Sequence, residues 1–308
     1  MSVNEISIRI KQLQEEKNAI ILAHYYTRPE VQDVADYLGD SLGLSRMAAR
    51  TDARVIVFCG VHFMAETASI ISPGKKVLVP ALHAGCSLAE SITGEDLVAW
   101  RLAHPGGVVV CYVNTSAAVK AHADYCCTSS NATRVVESIP AGRPVLFVPD
   151  KNLGAYINKV TGREMELWDG DCCVHERLPA ALLLERLEEY PGAIALVHPE
   201  SSGSSDDRVL YHPRVFIAST AGMIDHARRS SCRQYIVATE LETIHELNKS
   251  APGKEFIPAL RTTICGQMKK ITIERVLEAL EKEQFEVRVP DETRERARRP
   301  IQRMLEVK

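Results

Sequence analysis

Residues 83 to 91 read "HAGCSLAES", which puts a thiol, Cys86, between a glycine and a serine just past the apolar run Val77–Pro80. Four chemistries use a cysteine there: a packed core, a nucleophile, half of a disulfide or a metal ligand. The chain has nine cysteines, at 59, 86, 111, 126, 127, 172, 173, 232 and 265. An odd number in a chain of 308 residues argues against a secreted disulfide framework and for a reducing cytoplasm. No C-x-x-C occurs, so a zinc ribbon or a ferredoxin-type run is absent, and any metal ligands stand far apart in sequence. Cys59 and Cys111 lie inside apolar runs and read as small buried hydrophobes. Cys86 and Cys265 lie in loops flanked by glycine, where a reactive or ligating thiol is as good a reading as a buried one.

Other polar groups recur at regular distances. "AIILAH" ends in His24, followed by Tyr26; "VVVCYVN" ends in Tyr112 and Asn114; "AIALVHPE" ends in His198 and Glu200. A helix-like stretch follows each, and then a hydroxyl cluster: "GDS" with Ser41, "TSSN" with Ser129, and "ASTAGM" with Ser219 and Thr220. His24 and Tyr112 are 88 residues apart, and Tyr112 and His198 are 86 apart. Cys86 and Cys172 are 86 apart, and Cys172 and Cys265 are 93 apart. Each unit closes on a cysteine: Cys86, then Cys172 or Cys173, then Cys265.

These groups need elements to carry them. Apolar runs at Ala19–Ala23, Arg54–Cys59, Lys76–Pro80, Val108–Val113, Pro144–Val148, Ala193–Val197, Arg214–Ser219, Gln234–Ala238 and Glu255–Ile257 alternate with amphipathic stretches such as "PEVQDVADYLG", "TSAAVKAHAD" and "LPAALLLERLEEY". The runs are Val/Ile-rich with little alternation, as in parallel strands covered on both faces. The fold class is α/β. The repeat predicts three pseudo-repeated αβα domains with short parallel sheets, arranged in a triangle around a central active site. Their limits are 1–88 together with C-terminal helices over 266–308, then 89–175, then 176–265. The charged stretch "DETRERARRP" reads as a solvated helix face.

In open parallel sheets, ligands sit beyond the carboxyl ends of the strands. Three units around a pseudo-threefold axis would bring His24, Tyr26, Tyr112, Asn114, His198 and Glu200 to one cavity, with one cysteine from each unit. Three thiolates suit a [4Fe–4S] cluster with one open iron, a Lewis acid fitted to dehydration. Zinc on three thiolates is the competing metal. Hydroxyls at helix starts suit phosphate or several carboxylates. Glu200 is a candidate general base. The remaining histidines, His175 among them, carry no comparable signal singly. Neither G-x-G-x-x-G nor G-x-x-x-x-G-K-[ST] occurs, so a dinucleotide or ATP is not indicated. A net charge of −3 and 6% aromatic residues give no reason to expect nucleic acid. The apolar runs are too short for a membrane span, and the N-terminus lacks the order of a signal peptide.

Taken together, "ILAHYYTRPEVQDVADYLGDSLGLSR", "VIVFCGVHFMAETASI", "AGCSLAES", "YVNTSAAVKA", "CTSSNA", "GDCCVHE", "HPE", "AST" and "CGQMKKIT" resemble, in order, the motifs of the quinolinate synthase family, the A-type protein of bacterial NAD biosynthesis. The resemblance runs from about residue 18 to about residue 275. It implies condensation of iminoaspartate with dihydroxyacetone phosphate to quinolinate, with loss of phosphate and two waters. It implies three αβα domains around a [4Fe–4S] cluster held by Cys86, Cys172 and Cys265. The family pattern G-x-C-x-V-H selects Cys172 over Cys173. Carried over motif by motif, the substrate residues are His24, Tyr26, Ser41, Tyr112, Asn114, Ser129, His198, Glu200, Ser219 and Thr220. Of these, Glu200, Tyr26, Tyr112 and His24 are the catalytic candidates. Functional coupling to an L-aspartate oxidase or dehydrogenase is the implied partnership. Ser201 stands where the family often has a cysteine, and no cysteine follows Cys265, so a C-terminal redox pair is missing. An aconitase-like hydro-lyase and a non-catalytic zinc- or anion-binding module are the alternatives.

Overall fold

A computed structural model describes residues 1–307. Its twelve strands are β1 (Ala19–His24), β2 (Tyr37–Gly39), β3 (Val55–Cys59), β4 (Lys76–Leu78), β5 (Val108–Tyr112), β6 (Tyr125–Cys127), β7 (Val145–Val148), β8 (Glu166–Leu167), β9 (Ile194–Val197), β10 (Val215–Ile217), β11 (Gln234–Ala238) and β12 (Glu255–Pro258). They form three four-stranded sheets in the orders β2-β1-β3-β4, β6-β5-β7-β8 and β10-β9-β11-β12. Every pairing is parallel. The same topology therefore occurs three times in an α/β chain, as the recurring residue spacing predicts. β3 and β5 are buried at every position, because helices cover both faces of short parallel sheets.

Three edge strands differ from the sequence reading. Tyr37–Gly39 lies in a stretch with helical periodicity, yet the helix Pro29–Val34 stops short of it. Asp36 is the reason. Its carboxylate accepts the Ile21 N–H at 2.7 Å, and its own N–H donates to the Ile21 carbonyl at 3.0 Å. The aspartate clasps the central strand and forces the next residues to run beside it. Asp124 does the same to Val109, at 2.8 and 3.0 Å, so the helix expected through "TSAAVKAHAD" covers only Ala117–Lys120 and β6 follows. In the third unit a carbonyl takes this place, that of Arg214, which accepts the Ala195 N–H at 2.8 Å. Glu166–Leu167 is simply too short to carry a pattern.

One apolar core runs through the first two units and the C-terminal helices. The third sheet buries its faces in two separate clusters. The helix Ile273–Lys282 packs on the N-terminal helix Val3–Lys17. The last helix, Asp291–Glu306, is more than a solvated face: Ala297, Pro300, Ile301 and Met304 point inward against β6 and the helices Ala117–Lys120 and His62–Ile71. It is tied down where the Asn131 amide donates to the Met304 carbonyl at 2.9 Å and Arg303 donates to the Asp124 carbonyl at 2.6 Å. Among the described residues, no helix is long and apolar enough to cross a membrane.

Replacing Asp124 by alanine orphans a buried strand N–H. It should lower stability by about 1–3 kcal/mol, read as a shifted denaturant midpoint, and Asp36→Ala should do the same. A midpoint unchanged in both would remove the clasp from the account of the edge strands.

Candidate active site

The exits of β3, β7 and β11 build one frame three times. The third residue past each strand donates its N–H to a carbonyl two residues ahead of a cysteine. His62 donates to Ala84 at 2.9 Å, Lys151 to Gly170 at 2.8 Å and Leu241 to Thr263 at 2.9 Å. Each cysteine carbonyl then accepts the N–H four residues on, from Glu90 to Cys86 (3.0 Å), Glu176 to Cys172 (2.8 Å) and Lys269 to Cys265 (3.2 Å). By this register Cys172, not its exposed neighbour Cys173, is the equivalent of Cys86 and Cys265. All three are free, partly exposed thiols, and they line one cavity.

The same cavity collects residues from every unit. His24, Tyr26 and Ser41 come from the first, Tyr112, Asn114 and Ser129 from the second, and His198, Glu200 and Thr220 from the third. Ser219 stands apart from them. It caps the helix Thr220–Arg229, accepting the Gly222 N–H at 3.3 Å, and faces a neighbouring pocket. Its hydroxyl meets Ser130 at 2.8 Å, and Ser130 meets the Asp40 carboxylate at 2.8 Å, so one side chain from each unit joins at this point.

Glu200 is the centre of a buried hydrogen-bond chain. Tyr112 donates its hydroxyl to one carboxylate oxygen, and His175 Nδ1 lies 3.1 Å from the other. His175 Nε2 is 2.9 Å from the Thr239 hydroxyl, which is 2.8 Å from the Tyr26 hydroxyl, itself 2.9 Å from Thr220. His175 Nδ1 also lies 3.3 Å from the Cys172 sulfur, and its ring stacks on His198 with centroids 4.5 Å apart. The backbone assigns two tautomers. His24 Nδ1 accepts the Tyr26 N–H at 3.2 Å, and His198 Nδ1 accepts the Glu200 N–H at 3.3 Å. Each neutral ring therefore carries its hydrogen on Nε2.

Burial sets the charges. It lowers His24 to about 4 and His198 to about 3, the latter with help from the adjacent His175, so both rings are neutral donors near pH 7. Burial, reinforced by the negative charge of Glu200, raises Tyr26 and Tyr112 well above the usual phenol range. Burial also opposes ionisation of Glu200. The histidine rings His198 and His175 and the hydrogen bonds from His175 and Tyr112 outweigh it, holding the carboxyl below its ordinary range. Since His198 is itself neutral, we assign most of that effect to the two hydrogen bonds. The result is a buried carboxylate, ionised near pH 7 and held by hydrogen bonds from Tyr112 and His175.

Comparison with known proteins bears on the same residues. The profile of the family described as Quinolinate synthetase A protein matches residues 8–306. The chain belongs to that family. It is an enzyme of quinolinate synthesis, within NAD biosynthesis, and acts on small molecules. It is 49% identical over 301 residues to the quinolinate synthase of Pyrobaculum aerophilum, covering 96% of this chain and 98% of the relative. It is 50% identical over 298 residues to that of Thermus thermophilus, covering 97% and 96%. The quinolinate synthase of Trichodesmium erythraeum is 46% identical over 303 residues, covering 97% and 92%.

Among this family member's site residues, sequence reasoning passed over His175, Thr239, Glu240 and Lys269. His175 had a signal, since it stands three residues past Cys172 in "GDCCVHE". Thr239 and Glu240 end an apolar strand, as His198 to Glu200 do, and could have been read the same way. Cys126 and Cys127 are buried in β6, away from the cavity.

The histidines make stability depend on pH. Their folded pKa values lie below the unfolded value of about 6.5, so the unfolded chain binds more protons between them. Stability is full above about pH 6.5 and is lost as pH falls towards 4. At pH 5 each histidine should subtract roughly 2 kcal/mol relative to pH 7.5. Thermal melts across this range check the slope, and NMR titration of the two rings near pH 6.5 would refute it.

Proposed function

We propose that this enzyme condenses iminoaspartate with dihydroxyacetone phosphate, releasing phosphate and two waters as the pyridine ring of quinolinate closes. Cys86, Cys172 and Cys265 would hold a [4Fe–4S] cluster, within domains bounded as 1–88 with 266–308, 89–175 and 176–265. The observation that carries this reading is the thrice-repeated hydrogen-bond frame that turns one thiol per unit into a common cavity. The donor spacing favours a cluster over zinc. Three thiolates on one zinc, at about 2.3 Å each, would sit about 3.8 Å apart. Among the described residues, the one set of three such donors all within 4.8 Å is Cys172, His175 and Glu200; the three cysteine sulfurs are spread wider. When bound, the cluster supplies an open iron that polarises a hydroxyl or carboxylate.

The chain's own residues do the rest. Glu200 takes up the proton released on enolisation and returns protons to departing hydroxyls. Tyr112 steadies its charge, and the run from His175 through Thr239 to Tyr26 offers a path across the cavity. His24 and His198, as neutral donors, bind anionic oxygens without adding a proton to them. Ser41, Asn114, Ser129 and Thr220 stand at strand ends and helix starts, where phosphate and carboxylates find N–H and O–H donors. Iminoaspartate hydrolyses in water, so supply by an L-aspartate oxidase or dehydrogenase in the cytoplasm is part of the reading.

A second reading places a single ion on Cys172, His175 and Glu200, because their donor atoms lie within 4.8 Å. It competes poorly, since His175 Nδ1 is already shared between the other two.

Protein purified without oxygen should be brown and hold about four irons with matching sulfide. Cys86→Ala, Cys172→Ala and Cys265→Ala should each bleach it, while Cys173→Ala should not. A colourless protein with one zinc would favour the second reading. Glu200→Gln should keep iron, sulfide and the visible spectrum while kcat for quinolinate falls about 10²–10⁴-fold. Loss of iron in that variant would make Glu200 structural.

A further inference from the structure

The three cysteine frames are alike in backbone and unlike in one pair of side chains. The second residue past the third strand is Val61, Asp150 or Glu240, and the fourth past the cysteine is Glu90, Glu176 or Lys269. Opposite charges occur only in the frame of Cys265, and there they meet: Lys269 Nζ lies 2.7 Å from Glu240 Oε1. Glu240 is fully buried, and the Lys269 side chain is 14% exposed. The same Oε1 accepts the Cys265 N–H at 3.1 Å, and Oε2 accepts the Glu242 N–H at 2.8 Å. Lys269 Nζ also donates to the Tyr26 carbonyl at 2.6 Å, and Arg28 donates to the Lys269 carbonyl at 2.9 Å.

The geometry points to the Glu240–Lys269 pair as a positioning device that sets the ligand loop of Cys265 and the Tyr26 segment of the first unit against one another. The carboxylate holds the peptide of Cys265, and the ammonium it pairs with holds the peptide of Tyr26. Thr239, adjacent to Glu240, takes the Tyr26 hydroxyl at 2.8 Å. Tyr26 is thus fixed at both ends, its carbonyl by Lys269 and its hydroxyl by Thr239. Stability alone does not account for the pair, because apolar side chains of similar size commonly do as well in a buried position. What an apolar pair cannot do is accept one peptide and donate to another. The inference rests on the proposed role of Cys265 as a cluster ligand and of Tyr26 at the substrate.

The test uses Glu240→Met, Lys269→Met and the double variant. Each single change leaves a lone buried charge and should lower Tm most; the double change removes that charge and should recover part of the loss, while the peptide groups of Cys265, Glu242 and Tyr26 stay unpaired. If the pair positions the site, the double variant has a higher Tm than either single variant but its kcat stays at least tenfold below that of the parent protein, with an altered cluster EPR spectrum. A double variant with parental Tm, kcat and spectrum would overturn the inference. A second readout does not depend on the cluster. After iron is removed with a chelator, iodoacetamide should alkylate Cys265 about tenfold faster in the double variant, with Cys86 as the internal control. Equal rates would also overturn it. Parent protein that never holds iron would sink the cluster reading instead, and the alkylation ratio would still decide the pair.

Discussion

Everything at the site depends on one backbone hydrogen bond, made three times. It runs from the N–H just past the third strand of each sheet to the carbonyl two residues before a cysteine. A parallel sheet ends all its strands on one edge, so it can present several side chains at that edge. It cannot by itself bring a distant loop to the same place. The repeated bond does that, folding residues 84–86, 170–172 and 263–265 back over the strand ends they left some twenty residues earlier. The cysteine carbonyl then opens a short turn, which satisfies the next amide and stiffens the loop. A thiol on such a loop is preorganised, and a metal centre needs that because its ligands must converge before it can bind.

The second constraint is dryness. Glu200, His175 and His198 are almost wholly buried, and an unpaired carboxylate there would be costly. The chain meets that cost with a complete set of partners: Tyr112 and His175 on the carboxylate, Thr239 behind His175, and Tyr26 and Thr220 behind Thr239. A satisfied network of this kind is rigid. The backbone N–H bonds to His24 and His198 extend the same logic. They settle where each ring carries its hydrogen without a charged partner.

Much of this is legible in the sequence, and the exceptions have physical causes. The central strands show as unbroken Val/Ile runs because both faces are buried. The threefold repeat shows because His24, Tyr112 and His198 keep nearly constant distances. The edge strands at 37–39 and 125–127 do not show. Their helical periodicity is real, and it is overruled by the bonds of Asp36 to Ile21 and Asp124 to Val109, which no local pattern encodes. Spacing alone leaves Cys172 and Cys173 equivalent, because one residue is within the slack of any repeat; the bond from Lys151 to Gly170 separates them. His175 is ordinary in sequence, since its partners Glu200 and Thr239 lie 25 and 64 residues away.

The repeat also explains why the site is asymmetric. Three like units around one cavity would offer three copies of one environment, useful for holding a cluster and of little use for ordered proton transfers. Divergence at the strand ends breaks the tie. The first unit offers a histidine and a tyrosine, the second a tyrosine and an asparagine, the third a histidine and a glutamate. On the proposed reading, the backbone frame stays common because it would place three sulfurs alike, and the side chains differ because the groups that would meet phosphate must be unlike those that would meet carboxylates. The Glu240–Lys269 ion pair stands beside the loop of Cys265, next to the sheet that also supplies Glu200. On the proposed reading, the Cys265 loop, Glu200 and Tyr26 have to hold a single relative position there.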